Sequence, residues 1–241
     1  MNPILIGIDV GQRAERTGIA VVEREQRSDA LAQGVASYYI VRYLDRLPAG
    51  TPYPVMVERL RSIIEGLVAR RQGPGQWTID VCADVTGLGQ PIVDLLRSAY
   101  HAVIPVYFTH GDRFTLVQEP QLYIQMGKAW LVANLQALLQ TGRVLLPDTP
   151  AAQALAHDLL DYQIDVAPDA NEHYGAFSVG QQDDLVTALG MAALPSQPQE
   201  YQMRFTLDDL WTPEDEQAFQ RGRQRIGYDP YYGGIIGDRR Y

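Results

Sequence analysis

Apolar residues open the chain in two runs that a short polar stretch separates. The first run spans residues 4–10, and the second begins at Thr17 and continues to Val22. Runs of this length, rich in branched residues and closely connected, predict the two strands of a β-hairpin. The first run carries a carboxylate, Asp9, where its strand leaves the core. Burying an unpaired carboxylate costs several kcal/mol, so Asp9 needs a cation, a hydrogen-bond donor or solvent.

Strands and amphipathic helices alternate over the next part of the chain. The pattern predicts a strand over 33–44, a helix over 55–71, a strand over 77–83 that Asp84 ends, a helix over 90–99 and a strand over 103–108. A glycine turn, Gly87 to Gly89, connects the second of these strands to its helix. This β-α-β-α-β order implies an α/β fold with parallel neighbouring strands and helices on the faces of the sheet.

The pattern beyond residue 108 is less regular. It predicts a polar surface loop over 109–119, a helix over 126–139, a short strand over 144–146, a helix over 151–162, a small hairpin that pairs 163–166 with 174–179, and a last helix over 185–194. Asp183 and Asp184 lead into that last helix. At Pro195 the composition becomes poor in aliphatic residues and rich in Tyr, Gly and charge. We therefore expect one domain over 1–194 and a tail or docking segment over 195–241.

Composition narrows the classes of function. The 241 residues carry a net charge of −9, which argues against a protein that coats nucleic acid non-specifically. The sequence contains no GxxxxGK[ST] motif, so it predicts no P-loop ATPase. It shows no run of about 18 apolar residues and no signal peptide, so we expect no membrane contact and a cytoplasmic location. The single cysteine, Cys82, fits a buried thiol in a reducing compartment.

Aspartates recur at the ends of predicted strands and at the start of the last predicted helix. Asp9 and Asp84 both end apolar strands, and if those strands are neighbours their ends lie about 5 to 10 Å apart. Asp183 and Asp184 begin a helix that must pack on the same sheet. Carboxylates this close raise one another's pKa unless a cation separates them, and clustered oxygen ligands suit Mg²⁺ or Mn²⁺. Two such ions would activate a water and stabilise the leaving oxygen of a phosphodiester.

These motifs carry a family resemblance that covers roughly residues 4–194. Asp9 in a first hairpin, the segment from Asp84 to Gly89, and the segment from Gln182 to Leu189 together resemble the nuclease domain of phage terminase large subunits. Residues 125–132 and 138–144 are similar to the stretch that precedes the last acidic motif there.

The resemblance implies an RNase H-like fold: a mixed central sheet, with antiparallel opening strands and then parallel ones, flanked by helices. It also implies metal-dependent endonucleolytic cleavage of double-stranded DNA in viral DNA packaging. Asp9, Asp84 and Asp184 would be the catalytic metal ligands, joined by Asp183, with two ions of Mg²⁺ or Mn²⁺.

Two features depart from the family pattern. Terminase large subunits carry an N-terminal ATPase motor, which this sequence lacks, so we expect an isolated domain, a split subunit or a stand-alone relative. Its tail would then dock on a separate ATPase motor subunit or a portal. The last acidic motif often begins with histidine in the family, whereas Gln182 stands here.

Other interpretations of the same residues stay open. Asp9 alone could cap a turn, and Asp183 with Asp184 could only complement a helix dipole. Lys128 and Arg113 could contact DNA, although solvated surface is the default for both, and Asp80 is expected to face solvent or a helix. Rival functions are a Holliday-junction-resolvase-like nuclease, an actin-like or sugar-kinase-like ATPase, and a non-catalytic terminase-like interaction module.

Overall fold

A computed structural model describes residues 2–12, 14–29, 34–70, 78–109, 113–118, 121–161 and 183–194, together with 228–229 and 234–235. In chain order its elements are β1 (Ile4–Asp9), β2 (Thr17–Asp29), β3 (Gly34–Leu47), α1 (Tyr53–Arg70), β4 (Ile79–Asp84), α2 (Gln90–Ala99), β5 (Val103–Thr109), β6 (Phe114–Val117), β7 (Tyr123–Gly127), α3 (Lys128–Gln140), β8 (Val144–Leu145), α4 (Pro150–Asp161), α5 (Asp184–Ala192), β9 (Tyr228–Asp229) and β10 (Gly234–Ile235).

Eight strands form one mixed sheet in the order β6-β7-β5-β4-β1-β2-β3-β8. The predicted hairpin is confirmed, because β1 pairs antiparallel with β2, and β2 pairs antiparallel with β3. Strands β4, β5 and β7 extend the sheet from β1 in parallel. The sheet therefore has the predicted division into antiparallel opening strands and parallel strands that follow them.

Alternating side chains of the strands feed cores on both faces of the sheet. On one face Ile4, Ile6 and Ile8 of β1 pack with apolar residues of α1 and α2. On the other face Leu5 joins a core that includes Leu185 and Leu189 of α5. Helices α3 and α4 also contribute to the cores on this second face. The result is a three-layer arrangement in which the sheet holds the middle position.

The prediction for the segment after β5 was partly wrong. The expected surface loop over 109–119 contains β6, and the last two residues of β7, Met126 and Gly127, were expected to lie in the first turn of the next helix. β6 pairs antiparallel with β7, and β7 pairs parallel with β5. The ring centroids of Phe114 and Trp130 lie 4.8 Å apart, so β6 is also held by the start of α3. Backbone pairing and this contact outweigh the polar character of the sequence.

Several predictions fall outside the described residues. They include the hairpin pairing 163–166 with 174–179, the position of Gln182, and nearly all of the proposed tail over 195–241. Within the tail, β9 and β10 pair antiparallel as two-residue strands. The division into a domain over 1–194 and a tail thus stays a prediction. In the part of the chain that the structure covers, no helix has the length and apolar character needed to cross a membrane.

Candidate active site

The carboxyl ends of β1 and β4 place two aspartates side by side. The two strands are parallel neighbours, and Asp9 is directly opposite Asp84 in their register. Adjacent strands are about 4.8 Å apart, so the two backbones carry these carboxylates at close range. Leu5 and Gly7, on the same face of β1 as Asp9, pack against α5, so Asp9 projects to that face. Asp84 shares a face of β4 with Cys82, which packs in one core with Met191 of α5.

Two glycines let α5 lie close to this edge of the sheet. A β-carbon on Gly7 would lie 1.9 Å from the carbonyl oxygen of Ala188, and one on Gly18 would lie 2.3 Å from the carbonyl oxygen of Asp184. Both contacts are far shorter than any real side chain tolerates, so only glycine permits the observed helix position. The close approach brings Asp183 and Asp184, at the start of α5, to the strand ends that carry Asp9 and Asp84.

The two acids of α5 each accept a hydrogen bond from a cation. Lys128, the first residue of α3, donates to Asp183 with its Nζ 3.1 Å from Oδ2. Arg46, near the end of β3, donates through Nε to Oδ2 of Asp184 at 2.7 Å. The same guanidinium also pairs with Asp158 of α4. The side chains of this Arg46 triad are 8 to 17% exposed, so the triad is largely shielded from water.

Burial and neighbouring negative charge both raise the pKa values of the two strand-end acids, Asp9 and Asp84. Burial raises the pKa of Asp9 well above its usual range, and the charges of Asp84 and Asp183 raise it further. Lys128 opposes this rise in pKa, and Asp184 adds to it. Burial also raises the pKa of Asp84, although two hydrogen bonds from Thr86 and the charge of Lys128 offset part of the effect. This edge of the sheet therefore favours a cation or a proton.

Solved structures provide the comparison, since no protein-family model matches the sequence and no curated protein matches it. The large terminase nuclease from thermophilic phage G20c, crystallised with bound magnesium, is similar with a TM-score of 0.52 and 20% identity over 79% of this chain and 80% of that one. The human cytomegalovirus terminase nuclease domain, soaked with Mn, gives 0.52 and 13% identity over 85% and 87%. This chain has the fold of terminase nuclease domains. The RNase H-like architecture expected from the sequence is confirmed.

The donor set of this terminase-nuclease fold suits a hard divalent cation. Four carboxylates meet at one edge, and carboxylate oxygens are the ligands that Mg²⁺ and Mn²⁺ prefer. As placed, no three acidic, histidine or cysteine side chains of the described segments converge tightly enough to hold one ion. In this arrangement Asp183 is paired with Lys128, and Asp184 with Arg46.

The remaining sequence candidates lie at different distances from this edge. Lys128 is in direct contact with Asp183 and only partly exposed, so it belongs to the site rather than to open solvated surface. Arg113 is exposed, and its carbonyl accepts a hydrogen bond from the backbone N–H of Gly127, which places its backbone beside the start of α3. Contact of either residue with DNA stays a prediction.

Two other residues of β4 are outside the cluster. Asp80 lies four positions before Asp84, about 13 Å away along the strand, and burial raises its pKa to about 6. Cys82 is buried, as predicted, and burial raises the pKa of its thiol to about 12. A thiol with so high a pKa is inert at neutral pH.

Sequence reasoning missed the residues that hold the acids in place. Arg46 is 138 positions from Asp184, and no local pattern connects them. Asp158 was missed for the same reason, as one of two acidic residues on α4. Asp84 did carry a signal, because an aspartate commonly accepts a hydrogen bond from the backbone N–H two residues further on, which here belongs to Thr86.

Proposed function

We propose that the chain is a metal-dependent endonuclease that cleaves DNA phosphodiesters with two divalent ions, Mg²⁺ or Mn²⁺. The observation that carries the proposal is the register that sets Asp9 directly opposite Asp84 on parallel strands, with the acids of α5 beside them. Similarity in fold to two terminase nuclease domains, one with bound magnesium and one soaked with Mn, supports the same chemistry.

The residues of the chain would divide the work as follows. Asp9 and Asp84 would hold the ions, and Asp184 with Asp183 would complete the ligand set from the helix side. When bound, the ions would supply activation of a water and stabilisation of the leaving oxygen, so no protein nucleophile is required. Lys128 would contribute positive charge next to the scissile phosphate, because it already lies against Asp183.

Bound metal ions would explain how a negatively charged protein binds negatively charged DNA at the acidic edge of the sheet. The chain carries a net charge of −9, which disfavours broad contact with a phosphate backbone. Divalent ions bound to the acidic edge would make the local charge positive, and binding of DNA would then depend on the metal. Packaging of viral DNA, and docking of the tail on a separate ATPase motor or portal, extend this proposal to partners of the chain.

A plasmid cleavage assay tests the proposed activity. The wild-type chain should convert supercoiled DNA to nicked or linear forms with Mn²⁺ or Mg²⁺ and should be inactive in EDTA. Asp9→Asn should lower the rate by more than about 100-fold, since loss of a ligand exceeds the 10–100-fold cost of losing an outer-shell partner. Asp80→Asn is the matched control, because it removes a carboxylate from the same sheet outside the cluster.

Cleavage assays and a measurement of Mn²⁺ binding together separate the competing functions. Equal cleavage by Asp9→Asn and wild type would contradict the assignment of the site. Preference for a four-way junction over linear duplex would indicate resolvase-like specificity. Failure of the folded wild-type chain to bind Mn²⁺ would favour the non-catalytic interaction module.

A further inference from the structure

The hydroxyl of Thr86 lies between the backbone of one strand and the carboxylate of another. It follows Asp84 by two residues, in the turn that connects β4 to α2. Its Oγ1 donates to Oδ1 of Asp84 at 2.6 Å, and its backbone N–H donates to the same oxygen at 2.9 Å. The backbone N–H of Phe108 in β5 donates to Oγ1 at 2.8 Å.

Counting protons fixes the direction of this chain of hydrogen bonds. A hydroxyl has one proton to donate and accepts with its lone pairs. Since Phe108 supplies a proton to Oγ1, the hydroxyl's own proton is directed to Asp84. The N–H of Phe108 belongs to a central strand, so the sheet itself sets the orientation of the hydroxyl.

Both bonds fall on one oxygen of Asp84, which distinguishes its two oxygens. Oδ1 is occupied by two donors from Thr86, so Oδ2 is the oxygen left to bind a cation. The carboxylate can no longer rotate freely. A ligand whose orientation is fixed before the ion arrives loses less conformational freedom on binding.

Thr86 is uncharged, whereas the groups that bind the two acids at the start of α5 are cations. Asp183 and Asp184 are held by Lys128 and Arg46, whose positive charges oppose the approach of a metal ion. A threonine orients its carboxylate without neutralising it. Thr86 therefore fixes the geometry of Asp84 without adding a positive charge of its own.

We propose that Thr86 is a positioning residue that orients Asp84 and thereby raises the affinity of the acidic edge for a divalent cation. This inference rests on the proposed function, since it concerns the same metal site. Outer-shell partners of metal ligands are worth about 10–100-fold in metal affinity, which sets the expected size of the effect. The substitution Thr86→Val keeps the shape and removes the hydroxyl, and Thr86→Ser keeps the hydroxyl.

Calorimetric titration with Mn²⁺ tests the role of the hydroxyl. Thr86→Val should bind Mn²⁺ about 10–100-fold more weakly than wild type, whereas Thr86→Ser should stay within about threefold of it. Thr86→Ala, which loses the hydroxyl and leaves a smaller side chain, should show the same loss and serves if the valine variant does not fold.

A second variant that loses a buried hydroxyl group controls for a general loss of stability. Tyr100→Phe removes the hydrogen bond that the Tyr100 hydroxyl donates to the carbonyl of Ile79, 2.8 Å away at the opposite end of β4. This variant should keep wild-type affinity for Mn²⁺ although it also loses a buried bond to the same strand. An equal loss of affinity in Tyr100→Phe would show that stability alone explains the result, and would overturn the inference.

The failure of this inference and that of the proposed function look different. Wild-type affinity in Thr86→Val or Thr86→Ala, or an affinity in Thr86→Ser as weak as theirs, would contradict the role of the hydroxyl and leave the metal site standing. Absence of Mn²⁺ binding by the folded wild-type chain would overturn both.

Discussion

Replacing Gly7 with alanine should separate the acids of the helix from those of the strands. The new β-carbon would lie 1.9 Å from the carbonyl oxygen of Ala188, 2.9 Å from its carbonyl carbon and 2.8 Å from the backbone nitrogen of Ala192. All three atoms are backbone of α5, so no side-chain rotation relieves the clash. Ordinary contact begins at 3.4 Å, so helix and strand must move apart by about 1.5 Å.

The expected effects follow from that displacement. Forcing an extra methyl group into a close-packed interface costs about 1–3 kcal/mol of unfolding free energy. The larger consequence is functional, because a misplacement of about 1 Å at a reacting centre can cost about 100-fold in rate. Gly7→Ala should therefore lower Mn²⁺-dependent cleavage by at least that factor, and weaken Mn²⁺ binding, while the chain still unfolds cooperatively in urea.

Gly142→Ala provides the control for destabilisation without displacement of α5. Gly142 has a φ of +66° and no neighbouring atom within 4 Å of an added β-carbon, so alanine there costs only backbone strain, about 1–2 kcal/mol. This variant should lose stability and keep its Mn²⁺ affinity. Wild-type affinity in Gly7→Ala, or an equal loss of affinity in both variants, would refute the reasoning that close approach of α5 builds the site.

Two further predictions concern the free energy of unfolding rather than metal binding or cleavage. The pKa of Asp80 is raised to about 6, so the folded chain binds this proton more tightly than the unfolded chain, and the contribution of Asp80 to the unfolding free energy should fall by up to about 3 kcal/mol between pH 4 and pH 7. Urea unfolding of Asp80→Asn beside wild type checks this, and a difference between the two that does not vary with pH would contradict it. Asp158→Asn should cost about 1.5–3 kcal/mol because Arg46 loses one partner in a largely buried site. Glu58→Gln breaks only an exposed ion pair and should change stability by less than about 0.5 kcal/mol; equal losses in the two variants would argue against a special role for the Arg46 triad.

Local pattern was enough to predict most of the elements that build the sheet. The two opening runs form the predicted hairpin, and the β-α-β-α-β order gave the parallel strands on one side of β1. That order also brought Asp9 and Asp84 together, because parallel strands end at the same edge. β6 and β7 were missed since short strands near a sheet edge owe their structure to backbone pairing with neighbours.

Contacts between residues far apart in the sequence could not be predicted from local pattern. Nothing near Gly7 indicates that the helix backbone at Ala188 and Ala192, more than 180 positions later, will lie against it. The same holds for Arg46, whose partners Asp158 and Asp184 come from helices late in the chain. Residue type and position along a strand can identify candidate ligands, whereas a distant partner such as Arg46 emerges only when the chain is folded.

Anomalous diffraction from a crystal soaked in Mn²⁺ tests the central claim most directly. The account predicts an ion within about 2.5 Å of a carboxylate oxygen of Asp9 and of Asp84, with Asp184 turned from Arg46 to share a second ion. In Asp9→Asn crystals treated in the same way, the first ion should be absent. Ordered aspartates with no manganese peak between them at saturating Mn²⁺, or manganese bound only elsewhere on the chain, would contradict the account.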